Sequence, residues 1–314
     1  MTRYIVRRLL LLVVTMLVTS ALIFGLTQLL PGDIARLILG REATETALEN
    51  FREEFGLNRS VPEQYSRWLM GFLTGQWGKS FTSGNPAVRP LVAERLGNSV
   101  RLALFTMAVS IPLSIILGII AALRENTWID NAISLVSLSV VGLPEFVTGV
   151  VLINIFVLGL KLFPATSSVP DNNIGDWFRQ LTLPAITATM VLLGYVSRLT
   201  RAGVIDELKK SYVRTAILKG LPQRQVIFKH VIRNALLPTI TVIAISFGWL
   251  IGGLIVIENV YTYPGLGTLL VDAVKFKNIP VLQAVVMVTI FFFAFANLIA
   301  DVLYAMLNPR IRLG

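Results

Sequence analysis

The chain contains no cysteine, a single histidine and few charged side chains: Asp, Glu, Lys and Arg make up 15% of its 314 residues. Without cysteine there is no disulfide framework, no thiolate metal site and no thiol nucleophile. One imidazole, His230, and no cluster of acids at ligand spacing leave neither a metal centre nor an acid–base pair on which to build an enzyme. The internal repeat that marks many secondary transporters is also missing. What the chain has in quantity is apolar surface, with 54% hydrophobic residues, more than one soluble core of this size can hide. Such a chain needs lipid as its solvent.

Six apolar runs are long enough to cross a hydrocarbon layer of ~30 Å, which takes ~20 helical residues: 9–30, 99–123, 133–158, 181–199, 235–257 and 281–307. Pro112, Pro144, Pro184 and Pro238 lie inside them, and spanning helices tolerate proline where neighbours satisfy the freed carbonyls. The first run follows Arg3, Arg7 and Arg8 and imitates a signal peptide. It exceeds the usual apolar core of ~7–15 residues and no small-x-small cleavage site follows, so it is expected to stay as the first spanning helix. The net charge of +10 sits in short stretches between the runs, which reads as a membrane signal and not as a nucleic-acid footprint. Nearly all of the excess falls on one set of alternate loops: Arg3, Arg7 and Arg8, then Arg124, the nine basic residues from Arg198 to Arg233, and Arg310 and Arg312. The positive-inside rule therefore expects both termini and the 200–234 loop in the cytoplasm of a bacterial or archaeal cell.

The expected organisation is a cytoplasmic N-terminus and first helix over 1–30, an extracytoplasmic cap over 31–98, and a core over 99–314. In the cap, Thr46 with Glu49 and Ser60 with Glu63 have the spacing of capping boxes, in which hydroxyl and carboxylate satisfy reciprocal backbone donors. Leu48, Phe51 and Phe55 form one apolar stripe ended by Gly56, and Val61, Tyr65, Trp68, Leu69 and Phe72 form another. Trp68 and Phe72 are the candidates for a docking surface there. In the 200–234 loop a helix over 206–219 is expected, with Gly220 as its cap and Pro222 opening the next. Its basic residues suit anionic lipid; its apolar residues Tyr212, Val213, Ala216, Ile217 and Leu221 favour docking against another protein.

Two motifs mislead. Gly75-Gln76-Trp77-Gly78-Lys79-Ser80 looks like the tail of a phosphate-binding loop, but Leu73 stands where that loop requires glycine. Gly265-Leu266-Gly267 lacks the third glycine and the βα context of a dinucleotide site, so both read as turns. Two acids lie inside apolar runs, where a charge is costly. Asp301 is expected near the inner end of the sixth helix, within reach of water or arginine. Glu145 is expected near mid-membrane, either as a paired internal carboxyl or as a wall of a solute path that attracts an amino group.

Over nearly its whole length the chain resembles the dipeptide, oligopeptide and nickel permeases of ATP-binding-cassette importers, and in particular the first of their two permease subunits. The resemblance rests on Tyr4-Ile5-Val6-Arg7-Arg8-Leu9, Leu30-Pro31-Gly32-Asp33, Phe55-Gly56-Leu57-Asn58-Arg59 and Gln64-Tyr65. It continues in Arg233-Asn234-Ala235-Leu236-Leu237-Pro238, in Ile257-Glu258 with Pro264-Gly265-Leu266-Gly267, and in Asn308-Pro309-Arg310-Ile311-Arg312. The stretch from Tyr212 to Gly220 is similar to that family's ATPase-coupling motif, with Arg214 and Thr215 replacing its first two residues and Ala216 and Gly220 kept. Glu145 and Asn278-Ile279-Pro280 depart from the family pattern.

The resemblance implies an all-α membrane protein with six transmembrane helices, the type I importer permease fold and a small extracytoplasmic helical cap. It also implies a non-catalytic subunit without cofactor of its own, coupled through Tyr212, Arg214, Thr215, Ala216 and Gly220 to two ATPase subunits that bind ATP and magnesium. A second homologous permease, an extracytoplasmic solute-binding protein and surrounding lipid complete the implied set of partners, and nucleic acid is absent from it. The rival reading is an ion- or proton-coupled secondary transporter with Glu145 and Asp301 as its relay.

The charge asymmetry makes a direct prediction. In intact cells, cysteines introduced at Ser83 and Lys210 should differ, with an impermeant thiol reagent labelling only the former. Labelling at Lys210 would reverse the topology.

Overall fold

The computed structural model describes residues 2–29, 34–40, 42–82, 84–169 and 173–307. The motifs Leu30-Pro31-Gly32-Asp33 and Asn308-Pro309-Arg310-Ile311-Arg312, and position Ser83, lie outside the described residues. Among those described the structure is helical throughout, apart from an isolated antiparallel bridge between Lys79 and Ala87. Five helices are long and apolar enough to cross a membrane, and a bent pair makes a sixth span.

The first helix, α1 (Thr2–Gln28), is followed by three short ones: α2 (Ile34–Leu39), α3 (Glu45–Glu54) and α4 (Val61–Thr74). Thr44 caps α3 by accepting from the Ala47 amide, so the cap lies two residues before the expected Thr46. Ser60 does precede α4, but its hydroxyl makes no cap bond, and Glu63 pairs with Arg59 and Arg67 instead. Two cationic partners outcompete a backbone amide for that carboxylate. Gln64 closes the Phe55–Arg59 turn by donating to the carbonyls of Leu57 and Arg59.

The second span, α5 (Val88–Leu123), begins earlier than its apolar run suggested, and the expected boundary at 98 falls inside it. It packs along α8 (Ile174–Leu208) through small side chains: Ser99, Ala103, Thr106, Ser110, Ser114 and Gly118 are buried on α5, and Ala185, Ala188, Thr189, Ser197 and Thr200 on α8. Helices in lipid gain nothing by hiding oil from oil, so close van der Waals approach between small residues is what holds them. At Gly118 a Cβ would lie 2.6 Å from the Ser197 carbonyl.

The third run does not form one continuous helix. It divides into α6 (Trp128–Val141) and α7 (Glu145–Leu152), the latter extended by a π-helical stretch Ile153–Gly159, with a 107° bend between the two arms. Pro144 lacks an amide and restricts Leu143, and with Gly142 alongside them the helix ends there. The loop helix expected over 206–219 is likewise two helices: α8 ends at Leu208 and α9 (Ser211–Leu218) follows. Then come α10 (Gln223–Gln225), a π-helical turn Val226–Val231, α11 (Ile232–Gly253), α12 (Ile255–Val260), α13 (Leu266–Lys275) and α14 (Ile279–Leu307). The α2–α4 segment, α12 and α13 cluster at one end of the bundle, and α9 and α10 lie at the other. Along α1 and α14, Thr27 accepts from Gln283 near the first end, while Arg8 pairs with Asp301 at 2.9 Å nearer the second.

The α5–α8 seam should be intolerant of volume. Gly118→Val should lower the thermal stability of the detergent-purified protein by about 2 kcal/mol or more, the usual cost of overpacking, whereas Gly25→Val, at a site with open space, should be nearly silent. Equal melting curves for the two would show that the seam is loose.

Candidate coupling and pathway sites

The α9 segment sits on the end of the bundle with its inner face fixed. Val213 and Ala216 are buried there against Val204, Ile205, Val226, Val231 and Ala235. Ala216 is therefore small because α9 lies close on its own chain. The residues that α9 turns outward are Arg214, Thr215, Ile217 and Leu218, the last two 57% and 80% exposed, and Phe228 on the following π-helical turn is 70% exposed. Leu218 and Phe228 did not stand out in the sequence, because only the fold decides that both stay uncovered. Gly220 follows in the left-handed region with φ +77°, and nothing lies within 4 Å of where its Cβ would be. Backbone conformation alone, not space, selects glycine at that position. Tyr212 is half-buried, its hydroxyl turned toward the end of α8.

Glu145 occupies the first turn of α7, directly after the break, and is half-buried. Among the described residues it has no ion pair or side-chain hydrogen bond, so the paired internal carboxyl expected as one alternative is not formed. Gly142, Leu143 and Pro144 are exposed. Asp301, by contrast, has the arginine partner expected of a structural acid.

Trp68 and Phe72 face inward. Trp68 packs on Phe24 of α1, and Phe72 stacks on Trp77 with ring centroids 4.9 Å apart, over the cluster formed by α5, α13 and α14. They fasten the α4 segment to the bundle. The phosphate-loop look-alike beside them is a turn, with Gly75 and Gly78 both at positive φ.

One site escaped the sequence reading, which treated Gly265-Leu266-Gly267 as a plain turn. Glu258, 1% exposed, places its carboxylate in that turn. Oε1 accepts from Ser99 Oγ at 2.5 Å, and Oε2 from the amides of Gly267 at 2.6 Å and Thr268 at 3.3 Å. Any Cβ on Gly265 would collide with this carboxylate. Ser99 in turn accepts from the Leu266 amide, and Asn98 donates to the Pro264 carbonyl. The knot ties α12, the start of α13 and the α5 helix into one block. The available signal was the co-occurrence of an acid and a glycine pair seven and nine positions on.

No group of three potential metal ligands stands together among the described residues. Residues 114–313 match the family model "Binding-protein-dependent transport system inner membrane component", and residues 1–103 match its N-terminal companion, "Binding-prot-dependent transport system membrane comp, N-term". The chain belongs to this permease family. It is 35% identical to a probable peptide ABC transporter permease protein of Sinorhizobium fredii, over 98% of this chain and 99% of that one. It is 36% identical to the glutathione transport system permease protein of Escherichia coli K12 and to a putative peptide transport system permease protein of Brucella abortus, over 99% of both chains in each case. The permease is thus a multi-pass inner-membrane protein of the type I importer fold and a non-catalytic subunit of an ATP-binding-cassette importer.

The Glu258 knot gives the permease a titratable joint. Burial is the largest influence and pushes the carboxyl from the ordinary 4.5 up to about 7, against the opposing pull of its three donors. The folded state therefore holds this proton more tightly than the unfolded chain. The resulting stability is complete below about pH 4.5 and is lost as pH rises through about 7. The Tm of the detergent-purified permease should fall across that window, and Glu258→Gln should flatten the fall. Parallel curves for the two proteins would remove Glu258 as its cause.

Proposed function

We propose that the permease forms half of the translocation pathway of an importer for peptides or similar small solutes, with its termini and α9 in the cytoplasm. The observation that carries this reading is the outward face of α9. Ile217 and Leu218 expose apolar surface between Arg214 and Lys219, at a helix whose other face is locked to the bundle, and Phe228 on the next π-helical turn is exposed as well. An exposed apolar patch rimmed by charge at the end of a membrane bundle suits a protein partner better than water. The partner is an ATPase subunit, one of two that carry ATP and magnesium, and the second half of the pathway is a homologous permease. When the ATPase pair closes, α9 is driven as a lever, and the spans swing from inward-facing to outward-facing to receive solute from a docked binding protein.

Glu145 belongs to the wall of the pathway. Bare backbone at membrane depth is tolerated only where protein or a water-filled cavity meets it, and the Gly142–Pro144 break is exposed in the single subunit. The break and the unpaired carboxylate beside it therefore face either the partner permease or the solute, and a carboxylate there favours a solute bearing an amino group. Peptide as the solute class is supported by the names of the relatives from Sinorhizobium and Brucella. The α2–α4 cap is the docking face for the binding protein. Trp68 and Phe72 serve it from beneath, by fixing α4 on α1 and α5.

The test is reconstitution of the full transporter in proteoliposomes. Leu218→Asp should fold and yet lose its ATPase subunits on copurification, because a charge buried unpaired at that contact costs several kcal/mol. Gly220→Val should keep them while misaiming the lever, at ~1 kcal/mol or more for the left-handed backbone. Uptake that persists without ATPases and collapses with the proton gradient would overturn the reading in favour of a secondary transporter.

A further inference from the structure

A chain of polar contacts fastens α9 to two spans at once. Glu207 lies at the end of α8 and is 6% exposed. Its Oε1 accepts from the Tyr212 hydroxyl at 2.6 Å, and its Oε2 from Lys210 Nζ at 2.5 Å. The phenol also approaches the His230 carbonyl at 3.3 Å. It has one proton to give, and the carboxylate is both nearer and the stronger acceptor. The His230 carbonyl is then served by Asn234, whose Nδ2 donates to it at 3.1 Å and to the Tyr212 oxygen at 3.2 Å. The sequence runs from amide to phenol to carboxylate, each bond polarising the next. Burial, with Glu207 adding to it, pushes the Tyr212 phenol above its ordinary range, while the hydrogen bond to Glu207 holds the Lys210 ammonium up. The phenol thus keeps its proton and the lysine its charge.

Two features distinguish this chain from a static anchor. The remaining contact between α9 and the bundle is apolar, through Val213 and Ala216, and apolar contact resists separation without fixing direction. A helix held only in this way can slide under load. The His230 carbonyl, moreover, belongs to the π-helical turn Val226–Val231 at the foot of the α11 span, and such turns are frequent at functional sites.

We propose that Glu207 and Asn234 are positioning residues of the coupling stroke, acting through the Tyr212 hydroxyl to make α9 move with the α8 and α11 spans as one lever. The inference rests on the docking reading of α9. The expected consequence of cutting the chain is an ATPase that still binds and still turns over while the spans fail to follow.

Tyr212→Phe removes the hydroxyl and keeps the ring, and Glu207→Gln keeps the shape while removing the charge that Lys210 meets. In proteoliposomes of the whole transporter, each variant should retain its ATPase subunits. Solute moved per ATP should fall about tenfold or more, the scale of losing one charge-assisted hydrogen bond. The double variant should fall no further than the worse single one, because both act on the same chain, Tyr212→Phe by cutting it and Glu207→Gln by weakening it. An unchanged ratio would overturn the proposal. So would a parallel loss of uptake, hydrolysis and thermal stability, or detachment of the ATPases, since any of these would make the chain a fold support only. The Leu218→Asp variant keeps the two readings apart: ATPases that stay attached to it refute the docking face, whatever ratio Tyr212→Phe returns.

Discussion

Backbone amides and carbonyls find no water in hydrocarbon, and every segment of this permease answers to that constraint. Five spans meet it by staying helical from end to end of the apolar layer. The third does not, and the way it fails is informative. Its two arms meet at 107° around Gly142-Leu143-Pro144, where the Gly142 and Leu143 amides turn back to the Leu138 and Val140 carbonyls while the three residues stay exposed. A span broken on its exposed side leaves non-helical backbone that protein or cavity water must cover.

Packing between spans follows from the same solvent. With no hydrophobic gain from association, α5 and α8 approach through hydroxyls, alanine and glycine, and that seam is the spine on which the other elements hang. At one end α5 receives the Glu258 knot, which makes the α12–α13 turn part of the bundle. At the other end α8 delivers Glu207 to the start of α9. The two buried carboxylates do comparable work at opposite ends. Each ties a short helix to a long one by hydrogen bonds that fix direction, where apolar contact would fix only distance.

That the chain spans a membrane, and roughly where, was legible from run length and apolar content, because a hydrocarbon layer imposes a length that is written residue by residue. The helix break at Gly220, flanked by apolar and basic residues, was legible, and Asp301 as an acid within reach of arginine was borne out by its pairing with Arg8.

Local pattern could not decide questions of facing. Pro144 reads the same in a kinked helix as in a broken one, and the 107° bend follows from how α7 packs against α8 and α12. Ala216 and Leu218 are two positions apart with similar apolar character. Only the docking of α9 on α8 and the π-helical turn sends one inward and the other out. Trp68 and Phe72 form a stripe in the sequence, and only the position of α1 and Trp77 shows that the stripe faces the bundle. Glu258 and Gly265-Leu266-Gly267 stand in the sequence as an acid and a turn. The carboxylate sits in the turn because Ser99, 159 positions away in the sequence, closes the other side. Composition and periodicity set which solvent each segment meets. The pairing of distant side chains, which depends on three-dimensional approach, was settled only by the tertiary structure.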